Sequence, residues 1–121
     1  MPTPNFVSVL PAFDTGQYES CTFNLSGGEA TLTIHVAELP PISFRFGKVR
    51  WHQFTAAYNC APEMVRDAYF RLVEYPDSPA VAAFIASDRA GRRAYAKLSH
   101  YRIFLDGTGC HDVFAESAAV V

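Results

Sequence analysis

ESCTFNLSGGEATLTIHVAEL, Glu19 to Leu39, holds two alternating segments that meet at Gly27-Gly28. A glycine pair takes positive φ without a steric cost, so it suits the tight primed turn whose twist matches two antiparallel strands. Placing Ser26 opposite Glu29 pairs Leu25 with Ala30, Phe23 with Leu32 and Cys21 with Ile34 on one face. The other face then pairs Asn24 with Thr31, Thr22 with Thr33 and Ser20 with His35. The first set is apolar and the second polar, and a slip of one residue mixes them. Turn chemistry and cross-strand pattern thus specify one register, and an antiparallel sheet is the starting point for the fold.

Working outward, ELPPISFRFGKVRWHQF (Glu38 to Phe54) starts a new strand after Pro40-Pro41, with Ile42, Phe44 and Phe46 on one side. Beyond Gly47 the apolar phase passes to Val49 and Trp51, which marks a bulge or a strand break. In NCAPEMVRDAYFRLVEYP the period changes. Met64, Val65, Ala68, Tyr69, Leu72 and Val73 recur at helical spacing, with Pro62 in the first turn and Asn59 as a cap. DSPAVAAFIASDRAGRR predicts a second helix, capped by Ser78, opened by Pro79 and stopped at Gly91. Arg89, Arg92 and Arg93 sit near its end, where they complement the helix dipole.

The last segment, HYRIFLDGTGCHDVFAES (His100 to Ser117), reads as a hairpin. A loop over Gly107 to Gly109 pairs Ile103 with Val113, Tyr101 with Ala115 and Leu105 with His111, and on the other face His100 with Glu116, Arg102 with Phe114 and Phe104 with Asp112. The expected fold is a single α+β domain over 1–121. It has an antiparallel sheet of five to six strands, with two helices inserted between the N-terminal strands and the closing hairpin.

The chain has 121 residues, half of them hydrophobic, with ten Phe and six Tyr, enough for one domain with a real core and too apolar for a disordered chain. No run approaches the roughly 20 apolar residues of a membrane span, and MPTPNFVSVLPAF has no signal-peptide pattern, so the expected location is the cytoplasm with no membrane partner. Cys21, Cys60 and Cys110 are scattered without C-x-x-C spacing, and reduced thiols are expected. A net charge of −2 supplies no global attraction for nucleic acid.

Candidate chemistry falls into three groups. His100 beside Glu116 sets an imidazole against a carboxylate, as acid-base work requires; the plainer reading is an exposed cross-strand pair. Cys60 lies near a predicted helix N-terminus, where thiolates are favoured, with His52 eight residues earlier; the plainer reading is a small buried cysteine. Arg45, Lys48 and Arg50 interleave with aromatics, a composition that stacks bases and neutralises phosphates, although a core strand with a basic face has the same composition. His35, His52, His100 and His111 lack H-x-H or H-x-x-x-H spacing, so no metal site and no cofactor is expected.

The strand-rich N-terminal half, followed by RWHQFTAAYNCAPEMVRDAYFRLVE and then HYRIFLDGTGCHDVFAES, resembles small α+β immunity proteins of bacterial polymorphic-toxin systems. Several of these families end in a hairpin of the form H-Y-x-I-x-x-D-x-x-G-x-x-x-V-x-A, matched here by His100, Tyr101, Ile103, Asp106, Gly109, Val113 and Ala115. The acidic residue before the valine is Asp112, a shorter side chain than the pattern often carries. The resemblance implies a protein-binding module that occludes a cognate toxin and carries out no catalysis. No interface residue carries over by motif. Toxins acting on nucleic acid are often basic, so the candidate partner-binding residues are the acidic ones on or near the helices: Glu63, Asp67, Glu74, Asp77 and Asp88. The alternative is a small enzyme or ligand-binding protein using His100 and Glu116, or Cys60 with a histidine.

Overall fold

The computed structural model describes residues 4–10, 13–87 and 98–121. Its elements are β1 (Asn5–Val9), a 3-10 turn (Thr15–Gln17), β2 (Tyr18–Ser26), β3 (Glu29–Val36), β4 (Ile42–Gly47), β5 (Trp51–Ala56) and a second 3-10 turn (Ala57–Asn59). There follow α1 (Pro62–Arg66), β6 (Arg71–Tyr75), α2 (Pro79–Ala86), β7 (Ser99–Leu105), β8 (Gly109–Ala115) and β9 (Ser117–Val120). The strands form a five-stranded sheet in the order β1-β6-β7-β8-β5 and a four-stranded sheet in the order β2-β3-β4-β9. The pairings are antiparallel and the class is α+β, but nine strands in two sheets replace the expected single sheet among the described residues.

The second sheet arises because the chain changes sheet twice at one corner. After Gly47, Lys48 takes φ 52 and the chain passes from β4 in one sheet to β5 in the other. The same step is made in reverse after Ala115, when β8 hands over to β9. The two crossings bond to each other: the Arg50 N–H donates to the Phe114 carbonyl at 2.8 Å and the Glu116 N–H to the Gly47 carbonyl at 2.9 Å. The parity change read at Gly47 is this strand break.

Leu32, Ile34, Phe44 and Phe46 of the four-stranded sheet meet Leu72, Ile103, Leu105 and Val113 of the five-stranded sheet in one buried layer. Each of these side chains contributes about 1.5–3 kcal/mol by leaving water. The opposite face of the five-stranded sheet carries a smaller core. There Ala68, Val73, Phe104 and Cys110 pack with Cys60, Met64 and Val65 from the α1 region. The central strands are therefore covered on both faces, and β8 is buried at every position.

This double burial explains where the first helix was overread. The helix expected through Val73 ends at Arg66, and Leu72 and Val73 belong to β6, which separates the two helices. Leu72 faces the inter-sheet core and Val73 the helical layer. A strand buried on both faces shows contiguous apolar residues, and next to a short helix these extend the helical spacing. Phe70, at φ 51, marks the break between them. Asn59 lies in the 3-10 turn, and Ala61 holds the cap position of α1. The second helix starts as expected, with Ser78 Oγ accepting from the Val81 N–H at 3.3 Å and Pro79 in its first turn. The predicted stop at Gly91, with Arg89, Arg92 and Arg93, lies outside the described residues.

The β2–β3 hairpin has the register read from its pattern, with Ser26 opposite Glu29 and Cys21 opposite Ile34, and Gly27 and Gly28 at φ 59 and 85. The β7–β8 hairpin differs. Leu105 pairs with Gly109, Ile103 with His111, Arg102 with Asp112 and His100 with Phe114, so the loop is Asp106 to Thr108 and the register is shifted by two residues. Gly107 supplies the positive φ that the loop needs, at 86°. Gly109 is the first residue of β8, at φ 147, pressed so closely on β5 that a Cβ there would lie 2.2 Å from the Thr55 carbonyl oxygen. An even shift leaves each residue on its expected face and changes only its partner.

Candidate functional site

The shifted register sets Arg102 directly across from Asp112, with His100 one step along on the same face. His100 Nε2 lies 2.7 Å from Asp112 Oδ1, and Arg102 Nε donates to the same oxygen at 2.6 Å. Cys110 Sγ approaches Oδ2 at 3.6 Å. Burial pushes the Asp112 carboxyl up, but the His100 hydrogen bond and the Arg102 charge outweigh it and hold the group below the usual carboxylate range. On its other side His100 Nδ1 lies 3.1 Å from Ser78 Oγ. Ser78, His100 and Asp112 are exposed by only 7%, 7% and 5%, which makes this a buried chain of polar groups joining α2 to the sheet.

The chain borders a cleft of about 420 Å³ lined by residues of α1, β6, α2 and β7, among them Glu63, Asp67, Tyr75, Ser78, His100 and Arg102. A second hollow of about 370 Å³ adjoins it, sharing Tyr75 and Ser78 and bordered by Asp77. The Arg102 guanidinium sits 5.2 Å from the centre of the Tyr75 ring. The Tyr75 hydroxyl is buried and makes no hydrogen bond of standard geometry among the described residues, but the Arg102 guanidinium lies close enough to act on it. Burial raises its pKa, so it remains a neutral donor and acceptor.

The predicted candidates distribute as follows. Glu116 is not paired with His100. It lies at the sheet-crossing corner, 3.9 Å from Lys48 Nζ and 3.5 Å from Arg50 Nη2, where its charge ties the two crossings together. Lys48 and Arg50 therefore face a carboxylate, and Arg45 stands exposed on β4 between Thr31 and Ala119 of the neighbouring strands. Cys60 and His52 do not meet, because His52 points between the sheets while Cys60 packs in the core on the other side. The Cys60 thiol lies 3.5 Å from the carbonyl oxygens of Thr55 and Ala56, and burial raises its pKa, so it is held protonated. Glu63 and Asp67 line the first cleft and Asp77 the second. Glu74 is half-buried on β6, opposite Asn5 and Tyr101, and Asp88 lies outside the described residues.

Sequence reasoning placed Ser78 as a helix cap but missed it as the partner of His100, because twenty-two positions separate them and only the packing of α2 on the sheet joins them. The Arg102–Asp112 pair was within reach of the sequence, since a loop read as Asp106 to Thr108 sets the two directly opposite.

A second cluster faces the inter-sheet side. His52 Nε2 lies 3.2 Å from His111 Nδ1, Cys21 Sγ lies 3.7 Å from His111 Nε2, and Phe23 stacks on His52 at 3.8 Å. Among the described residues no group of His, Cys, Asp and Glu has the geometry to hold a metal ion. His111 is held down to a pKa of about 4, by burial and then by the neighbouring His52. Unfolding restores it to about 6.5, so between these values the unfolded chain binds a proton that the folded chain does not, and stability falls as the pH falls. His52, lowered chiefly by burial, acts in the same direction. Lowering the pH from 7 to 4.5 is expected to cost about 2 kcal/mol through His111. Urea midpoints at the two pH values check this: the loss should shrink in His111→Gln, and an equal loss in both proteins would exclude His111 as its source.

No helix among the described residues is long and apolar enough to cross a membrane. Compared with known proteins, the chain matches no family model, no curated protein and no solved structure.

Proposed function

We propose that the chain is a protein-binding module of the immunity type, which occludes a cognate toxin in the cytoplasm by taking one of its basic side chains into the cleft beside Tyr75. The observation that carries this reading is a cleft whose lining joins the Tyr75 ring to the carboxylates of Glu63 and Asp67, groups that attract an entering guanidinium or ammonium. Glu63 and Asp67 line the same cleft and Asp77 the adjoining one, and no ion pair within the described residues occupies them. Among the described residues Arg66 is the counter-charge there, and Arg102 is already matched by Asp112, so the described lining carries a negative balance. Such a balance speeds the capture of a basic partner and contributes more to specificity and association rate than to affinity.

Affinity capture with the tagged chain from lysate of its source cells, at low and high salt, tests the reading. One stoichiometric protein retained at high salt by the wild type, and lost with the double variant Glu63→Lys, Asp67→Lys, is the expected result. Recovery of no protein, or of salt-labile nucleic acid alone, would overturn it.

A further inference from the structure

We propose that Ser78 is an acyl-transfer nucleophile, activated by His100 and Asp112, and that the cleft admits small carboxylic esters. This activity goes beyond partner binding and does not depend on it, although both use the same cleft. Three observations carry it.

The first is the order of the hydrogen bonds. Asp112 is an ionised acceptor, so the ring nitrogen 2.7 Å from it, His100 Nε2, must carry a proton. In the neutral ring this leaves Nδ1 as the acceptor, 3.1 Å from Ser78 Oγ, and Ser78 donates to it. A nucleophile, a base and a group that orients the base are thus in line, the arrangement that acyl transfer needs wherever it occurs. Arg102 is a positioning residue in this scheme: it keeps Asp112 ionised and fixes the oxygen that faces His100.

The second observation is where the serine sits. Ser78 precedes the first turn of α2, whose end is positively polarised. Of the first-turn amides, Pro79 has no N–H, Val81 donates to Ser78 Oγ and Ala82 donates to the Ser78 carbonyl. Ala80, which lines the cleft, carries the remaining first-turn N–H. A donor at this place suits the negative oxygen of a tetrahedral intermediate.

The third is access and size. Ser78 and His100 both line the cleft of about 420 Å³, the lower part of the range for small-ligand sites. Pro79, Ala80 and the Tyr75 ring give it apolar walls. An uncharged ester with a short acyl group fits these features.

In the step proposed, Ser78 Oγ forms a bond to the acyl carbon while its proton passes to His100 Nδ1. The intermediate collapses by breaking the bond to the alkoxy oxygen, which leaves as the alcohol after taking the proton from His100. Water then attacks the acyl-serine by the same route, releasing the carboxylic acid and restoring the serine.

The test is to treat the full chain with a fluorophosphonate probe and, separately, with p-nitrophenyl acetate. Expected are a single phosphonyl adduct mapped to Ser78 by peptide mass spectrometry and ester hydrolysis above the buffer rate. Ser78→Asn retains a capping oxygen and with it the start of α2; it should lose the adduct, and His100→Gln should lower hydrolysis by about 100-fold or more. Absence of an adduct at Ser78 in the folded wild type, or hydrolysis unchanged in either variant, would overturn the proposal. Partner capture is read separately. Acylation without a captured protein would remove the binding reading alone, and capture by the wild type without acylation would remove this one alone.

Discussion

Replacing Asp112 by alanine is expected to destabilise the fold by about 3–5 kcal/mol, the usual cost of removing one partner from a buried ion pair. The reason is not that the pair itself is worth so much. Asp112 is 5% exposed and matches both His100 and Arg102, so its loss leaves a partly buried guanidinium at the cleft wall without its counter-charge and the buried His100 without its acceptor. The helical layer is affected too, because His100 in turn holds Ser78, the cap of α2. Urea denaturation at pH 7 checks the magnitude. A combined Asp112→Leu, Arg102→Met variant should recover much of the loss, since it removes the unpaired guanidinium and leaves only His100 without its acceptor. A loss below 1 kcal/mol in the alanine variant would mean that water reaches this network.

The second large effect is expected at Gly109. Gly109→Ala places a Cβ 2.2 Å from the Thr55 carbonyl and about 3 Å from Ala56 in a backbone region, φ 147, that side-chain-bearing residues rarely adopt. Conformational strain of about 1–3 kcal/mol adds to a displacement of β5 of similar cost, about 4 kcal/mol together. Gly107→Ala is the control: it has positive φ as well, but no atom lies within 4 Å of the added carbon, so strain alone remains. Thermal unfolding of the two variants should therefore separate by several degrees, and equal midpoints would show that contact with β5 is not what makes Gly109 necessary.

How far the sequence reached depends on how local the deciding forces are. The β2–β3 hairpin was legible in full, because a Gly-Gly turn and one clean alternation set its register within a few residues. The start of α2 was legible for the same reason, a Ser-Pro cap acting within one turn. In the closing hairpin the faces were legible, since they depend on parity, while the partners were not. Two glycines, Gly107 and Gly109, allow three-residue loops offset by one position, and so registers that differ by two residues; the choice falls to Gly109, which only the close approach of β5 makes intelligible.

Leu72 and Val73 show the other limit. Period is readable when one face meets water, and a strand covered on both sides by a second sheet and a helical layer has no such face. The sequence by itself thus determined an antiparallel α+β chain, one hairpin register and the capped start of α2, all set by contacts between near neighbours. Only the tertiary structure decided that there are two sheets and that Glu116 serves the corner between them. It also decided that Ser78, His100, Arg102 and Asp112 form one network, because burial of both faces of the central sheet brings together side chains that their spacing along the chain keeps apart.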